Sequence, residues 1–165
     1  MASIKMNKSG VGEDSKEMIQ LVTFNMGSEE FGVDILNVQE IIRLPEITRV
    51  PNSFDFVKGV VNLRGKIIPI IELRKRLSMK SIDNDDSTRI IIIEFNDLTI
   101  GLIVDKVNEV ADINKNITEP PPPMVGEIES DYIASVAKQS DRLIILLDLS
   151  TIFIKSEENN EDVLV

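Results

Sequence analysis

The chain contains no cysteine, no histidine and no tryptophan. Without cysteine there is no disulfide framework, no thiolate metal site and no cysteine nucleophile. Without histidine, the commonest general base and the usual transition-metal ligand are missing. Aromatic residues make up only 4% of the sequence, so the core must be aliphatic and there is little to stack on nucleobases. Positive charge is scarce: 18 Lys and Arg face 28 Asp and Glu, for a net charge of −10. Phosphate neutralisation needs clustered cations, so nucleic acid and anionic membrane surfaces are poor partners. No apolar run approaches the ~18 residues of a spanning helix, and the first residues, MASIKMNKSGVGEDSKEM, lack the apolar stretch of a signal peptide. No phosphate-cradling glycine loop, histidine triad or redox pair is present. A carboxylate pair is the remaining catalytic option, and no cleft signal accompanies one. The sequence thus points to a cytoplasmic protein with no cofactor, no metal and no membrane insertion.

What is present is a duplication. GVVNLRGKIIPIIELR (59–74) aligns without a gap to SVAKQSDRLIILLDLS (135–150), at an offset of 76 residues. FGVDILNVQEI (31–41) aligns to IGLIVDKVNEV (100–110), at an offset of 69. In these alignments Val38 meets Val107, Glu40 meets Glu109, and Lys66 meets Arg142. Two related units of about 70 residues follow. Between polar tails at 1–16 and 156–165, strand signals dominate 17–155. The polar loop 81–87 predicts a boundary between subdomains 22–85 and 86–155, with exchange of strands allowed. Hairpins are expected from residue 19 to 35, over 57–73, from residue 89 onward, and over 132–147. Leu36–Ile42 has the spacing of one or two helical turns, and Pro45 closes it. Pro69 cannot donate to a ladder, which predicts an edge or a bulge. Ile91–Ile93 is apolar on both faces and should be buried on both sides. Short helices are expected at 73–77 and 149–154, and Pro120–Pro123 form a stiff connection. Ten or so short strands in two similar sets predict two small barrels rather than one sheet.

The sharpest local feature is the Asn62–Lys66 turn, NLRGK. Gly65 supplies a positive φ. Arg64 offers a planar donor fork suited to a partner carboxylate, or else pairs with a nearby acid on a solvated turn. Glu40 falls in the short helical segment, and Glu109 matches it, which suggests a carboxylate receiving a donor from the adjoining barrel. Val33, Leu36, Val38 and Val107 read as core residues unless the barrels leave an apolar groove open.

Taken together, the segments FGVDILNVQEI, TRVPN (48–52) and FVKGVVNLRGKIIPIIELR (56–74), with DRLIILLDL (141–149), resemble the CheW family of bacterial chemotaxis scaffold and adaptor proteins. The resemblance covers roughly residues 17–155. It implies a mainly β fold of two intertwined five-stranded SH3-like barrels with short helices. It implies no enzymatic activity. The implied partners are the regulatory domain of the histidine kinase CheA and the cytoplasmic tips of methyl-accepting chemotaxis receptors, with recruitment to receptor arrays. Matched position by position, the receptor site comprises Val22, Val33, Leu36, Glu40, Asn62, Arg64 and Val107, with Gly59 and Gly65 as structural glycines of the turn segment. The kinase surface has no signature motif and is not assigned to residues. Glu72 departs from the family, where Asp is common, which puts a capping bond to the next turn in question. An adaptor of another chemosensory pathway and a small β-barrel binding module remain the competing readings. A fused adaptor with a receiver domain would need more chain after the barrels.

Overall fold

The computed structural model describes residues 17–125 and 128–153. The tails expected at 1–16 and 156–165, and the last residue of the helix expected at 149–154, lie outside the described residues. The elements run β1 (Met18–Met26), β2 (Glu29–Asp34), a 3-10 turn (Ile35–Asn37), β3 (Val38–Arg43), β4 (Val57–Leu63), β5 (Lys66–Glu72) and α1 (Leu73–Arg76). They continue with β6 (Arg89–Phe95), β7 (Leu98–Val104), β8 (Lys106–Asn114), a 3-10 turn (Lys115–Ile117), β9 (Thr118–Glu119), β10 (Met124–Val125) and β11 (Ile128–Glu129). A 3-10 turn (Ser130–Tyr132), β12 (Ile133–Gln139), β13 (Arg142–Leu147) and α2 (Leu149–Phe153) complete the order.

One sheet has the order β8-β1-β2-β13-β12-β9 and the other β3-β6-β7-β5-β4, with β10 and β11 as a separate ribbon. The sixth strand of the larger sheet is the two-residue β9, which follows β8 and pairs with β12. In the smaller sheet Thr48, beyond β3, plays that closing part. It exchanges two backbone hydrogen bonds with Val60, at 2.9 and 2.8 Å. Each SH3-like barrel therefore has five long strands, as expected. The barrels are intertwined because each sheet draws strands from both halves of the chain. The β6–β7 hairpin lies between β3 and β5, and the β1–β2 hairpin between β8 and β13.

The duplication is visible in the register. Val38 lies opposite Ile93, and Val107 opposite Phe24, its repeat equivalent. Ile70 is level with Gly101, and Leu146 with Gly32, both in parallel ladders. Even the irregularities repeat. β4–β5 shifts register between Val57 and Gly59, and β12–β13 between Ile133 and Ser135.

β6 separates two cores, as its continuous isoleucine run predicts. Ile90 and Ile92 point into the smaller barrel with Val61, Ile68 and Ile70. Ile91 and Ile93 face a larger core shared by both sheets, which includes Phe24, Phe31 and Leu102. Each such side chain, removed fully from water, contributes about 1.5–3 kcal/mol. Where the halves meet, the Arg76 guanidinium is buried between two repeat-equivalent rings, Phe56 at 4.6 Å and Tyr132 at 5.0 Å. It donates to the Thr151 carbonyl at 2.6 Å. Burial pushes its pKa down.

One local expectation is corrected and one refined. Leu36–Ile42 is not helical beyond the three-residue turn. The segment from Val38 onward pairs with β6 and alternates between half-buried and exposed, but Glu40 on the half-buried face and Ile41 on the exposed one hide the apolar alternation that would have marked a strand. Pro69 lies at no bulge, and although β5 runs between β7 and β4, its pairing with β7 begins only at Ile70, so Pro69 is paired on one side alone. Its partner Val60 spends its own N–H and carbonyl on Thr48. The Val60–Pro69 pair is thus a non-hydrogen-bonded one, and the missing proline N–H costs the β4 ladder nothing.

Candidate partner-binding site

Arg64 and Gly65 form the two-residue loop between β4 and β5, with φ of 53° and 85°. Positive φ at both positions is the geometry that suits the twist of a tight hairpin. Asn62 fixes it by accepting the Gly65 N–H at 2.8 Å. Asn or Gly would sit in the Arg64 conformation with less strain than arginine does. The arginine side chain instead donates to Glu40. The pair is half open, with the Arg64 side chain 71% exposed and Glu40 30% exposed. Exposed pairs contribute about 0–1 kcal/mol, so its stabilising effect is small. Glu40 stands on β3 rather than on a helix, and its donor comes from the same barrel, not the adjoining one.

Gly59 and Gly65 serve different needs. Gly59 is in strand β4, not in the turn, with φ of 155°. A Cβ there would fall 2.2 Å from the Thr48 carbonyl oxygen, so the strand that closes the barrel requires its absence. A Cβ on Gly65 meets nothing within 4 Å, and only the backbone conformation favours glycine.

Beside this turn lies an apolar row. Leu98 sits opposite Phe95. Extending the β5–β7 ladder back from Ile70–Gly101 brings Ile67 level with Leu98. Extending the β3–β6 ladder beyond Val38–Ile93 brings Leu36 level with Phe95, and the Asn37 side-chain amide donates to the Glu94 carbonyl at 3.1 Å there. Leu36 is 88% exposed and Ile67 59% exposed, while Phe95 and Leu98 are half-buried against the shared core. Ile67, Phe95 and Leu98 are absent from the residues that sequence matching supplied. A cleft of about 260 Å³ adjoins the row, between β2 and the β13–α2 junction, and includes Val33, Asn37, Phe95, Leu147, Leu149 and Ser150.

The residues matched from sequence therefore divide. Glu40, Asn62, Arg64 and Gly65 come together at one end of the smaller barrel, the end that carries Leu36. Val22 and Val33 are buried in the shared core, because their side of β1 and β2 faces the other barrel, and Val33 also lines the cleft. Val107 is half-buried on β8, in the other sheet, at the repeat position of Val38.

A family profile described as CheW-like domain matches residues 20–157. The chain belongs to the CheW family. The chemotaxis protein CheW of Klebsiella aerogenes is 35% identical over 139 residues, covering 84% of this chain and 83% of that protein. The CheW of Treponema pallidum is 32% identical over 145 residues, covering 86% and 85%. Among solved structures, the scaffolding protein TtCheW from Thermoanaerobacter tengcongensis matches with a TM-score of 0.76 and 40% identity, over 82% of this chain and 87% of that one. The CheW relationship accounts for the paired barrels. Among the described residues no cluster of three or more acidic, histidine or cysteine side chains is placed to hold a metal. No described helix is long and apolar enough to cross a membrane. Glu72 makes no side-chain cap to α1 and accepts instead from the Ser81 hydroxyl at 2.9 Å. Its repeat equivalent Asp148 accepts from the Ser150 N–H at 3.0 Å at the start of α2.

Proposed function

We propose that this chain is a non-catalytic cytoplasmic adaptor. It couples the cytoplasmic tips of chemoreceptors to the histidine kinase CheA through the kinase's regulatory domain, and is recruited to membrane-bound receptor arrays by those contacts. The observation that carries the receptor half is the juxtaposition of the Leu36–Phe95–Leu98–Ile67 row with the Arg64–Glu40 pair. An amphipathic helix recognises such a surface by laying spaced aliphatic anchors along the row and polar groups against the charged rim. Arg64 is held in a left-handed conformation that presents its donor fork at the barrel end. The kinase contact is barrel against barrel, through apolar surface distinct from this row. Two separate faces let one small protein bridge two large partners, and repeated bridging makes weak contacts additive in an array.

Arg64→Ala tests the reading by calorimetric titration with a soluble receptor-tip fragment. The expected outcome is at least about tenfold weaker binding, equivalent to about 1.4 kcal/mol, with an unchanged thermal melt. Wild-type affinity in that variant would overturn the assigned role of the turn.

A further inference from the structure

Leu36 is an exposed leucine carried on a turn that the surrounding residues hold tightly. The turn, Ile35–Asn37, joins β2 to β3. At its start the Asp34 carboxylate accepts the Leu36 N–H at 2.9 Å, with Asp34 itself extended at φ −63° and ψ 129°. Aspartate and asparagine are the residues best suited to such a cap, which closes on the backbone two residues on. Within the turn the Val38 N–H donates to the Ile35 carbonyl. At its end the Asn37 side-chain amide donates to the Glu94 carbonyl at 3.1 Å, and Gln39 donates to the Glu94 carboxylate at 2.6 Å, so the turn is tied to the end of β6. Ile35 packs against the shared core, while Leu36 contributes almost no burial. Buried area therefore gives the fold no reason to hold Leu36 in place.

The duplication supplies an internal control. Aligning Gly32 with Gly101 places Ile103, Asp105 and Lys106 at the positions of Asp34, Leu36 and Asn37. There β7 runs on to Val104 and β8 begins at Lys106, with no 3-10 turn between them. Ile103 has no side-chain acceptor to offer a cap. The position of Leu36 carries a carboxylate that accepts from Gly27 and Arg74. The same connection is thus made without the turn, without the cap and without an apolar side chain at its tip. The barrel does not require these features, and they occur together at the end that carries the Arg64–Glu40 pair.

We infer that Asp34 and Asn37 are positioning residues for the receptor site: by fixing the Ile35–Asn37 turn, they order the Leu36 anchor before a receptor helix arrives. The inference rests on the receptor reading of the row that contains Leu36. Neither residue needs to touch the receptor. Where the turn is loose, binding itself must order it, and the backbone entropy of a single residue weakens binding by about fivefold or more.

Three variants of the full chain separate the parts. Asp34→Ala removes the cap acceptor. Asp34→Asn keeps the acceptor without the charge. Asn37→Asp replaces the amide donor by an acceptor of the same shape. Both bonds lie at the surface, so all three variants remain folded. The first readout needs no partner: the order parameter of the Leu36 amide from nitrogen relaxation. It should lie near the rigid value of about 0.85 in wild type and Asp34→Asn, and fall in Asp34→Ala and Asn37→Asp. An unchanged value in Asp34→Ala would overturn the claim that the cap fixes the turn. The second readout is calorimetric titration with the soluble receptor-tip fragment. Asp34→Ala and Asn37→Asp should bind about fivefold to tenfold more weakly, and Asp34→Asn as wild type does. Asp34→Asn as weak as Asp34→Ala would assign the effect to charge and overturn the inference. The third readout is a double-mutant cycle. In a Leu36→Ala chain, adding Asp34→Ala should cause no further loss, and an undiminished further loss would show that Asp34 does not act through Leu36. A wild-type chain that does not bind the fragment would refute the receptor reading and the inference with it. A binding wild type with an unweakened Asp34→Ala would overturn the inference alone.

Discussion

Replacing Gly59 with alanine should cost far more than replacing Gly65, although both glycines lie in the same hairpin. At Gly59 the new methyl would stand 2.2 Å from the Thr48 carbonyl oxygen and 2.8 Å from the Ile47 side chain, so backbone must move. The movement would break the two hydrogen bonds between Thr48 and Val60, at 2.9 and 2.8 Å. Each such bond contributes about 1 kcal/mol net. The backbone conformation, with φ of 155°, adds roughly 1–3 kcal/mol for a residue with a side chain. The expected loss is about 3–5 kcal/mol, a large part of the 5–15 kcal/mol typical of a domain. At Gly65 the methyl meets open space, and only a conformational cost of about 1 kcal/mol remains. Urea denaturation followed by far-ultraviolet circular dichroism measures both. A Gly59→Ala loss below about 1.5 kcal/mol, or one no larger than that of Gly65→Ala, would refute the argument that barrel closure by Thr48 requires a bare backbone at this point.

Other outcomes follow from burial and charge. Val33→Asp should abolish the dispersed spectrum of the fold, since Val33 is 2% exposed in the shared core and an unpaired buried carboxylate costs several kcal/mol. Leu36→Asp should leave stability within about 0.5 kcal/mol and weaken only the receptor contact. A fully folded Val33→Asp chain would contradict the core assignment. Arg76→Ala should destabilise by about 3 kcal/mol, measured by urea denaturation, because it empties the space between Phe56 and Tyr132 and strips the donor from the Thr151 carbonyl. Acid should unfold the chain in a defined way. Hydrogen bonds from Arg142 hold the Glu30 carboxyl below its ordinary value of 4.5, against the effect of burial. Burial pushes Asp105 up, but Arg74 and the Gly27 N–H overcome it and hold the group below 3.8. Both folded values lie below the unfolded ones, so their stabilisation is complete above the unfolded values and is lost as pH falls through the folded ones. The urea midpoint should stay flat from about pH 7 to pH 5 and fall below about pH 4, less steeply in Glu30→Gln.

Much of the architecture was readable because duplication repeats register as well as composition. Pairing 59–74 with 135–150 anticipates both the β4–β5 and β12–β13 hairpins, and the structure starts and ends β4 at Val57 and Leu63 as the alternation indicates. Ile91–Ile93 announce burial on two sides. The misreadings have local causes. Glu40 on the half-buried face of β3 and Ile41 on its exposed face make a strand look helical. Pro69 is tolerated in β5 because its nitrogen faces away from β4 and the ladder with β7 begins only at Ile70, which no single-strand pattern reveals. The site was legible where one turn carries it: Asn62, Arg64 and Gly65 are adjacent in sequence, and Glu40 entered through its repeat partner Glu109. The apolar row was not, because Leu36, Ile67, Phe95 and Leu98 come from three separate segments and are aligned only by the ladders of β3, β6, β7 and β5. Val22 and Val33 carry the same aliphatic character as Leu36. What distinguishes them is the direction in which β1 and β2 face, fixed by the exchange of hairpins between barrels. Arg76 gave no signal as a buried cation, since the two rings around it lie on repeat-equivalent positions 76 residues apart.

The central claim is that one chain presents separate faces to receptor and kinase. The most direct measurement is a nuclear magnetic resonance titration of isotope-labelled protein, first with a soluble receptor-tip fragment and then with the regulatory domain of the kinase. The account predicts two distinct sets of shifted amides: Leu36, Arg64, Ile67 and Leu98 with the receptor fragment, and a set away from that row with the kinase domain. No shifts with either partner well above micromolar concentration, or one shared set for which the two partners compete, would contradict it.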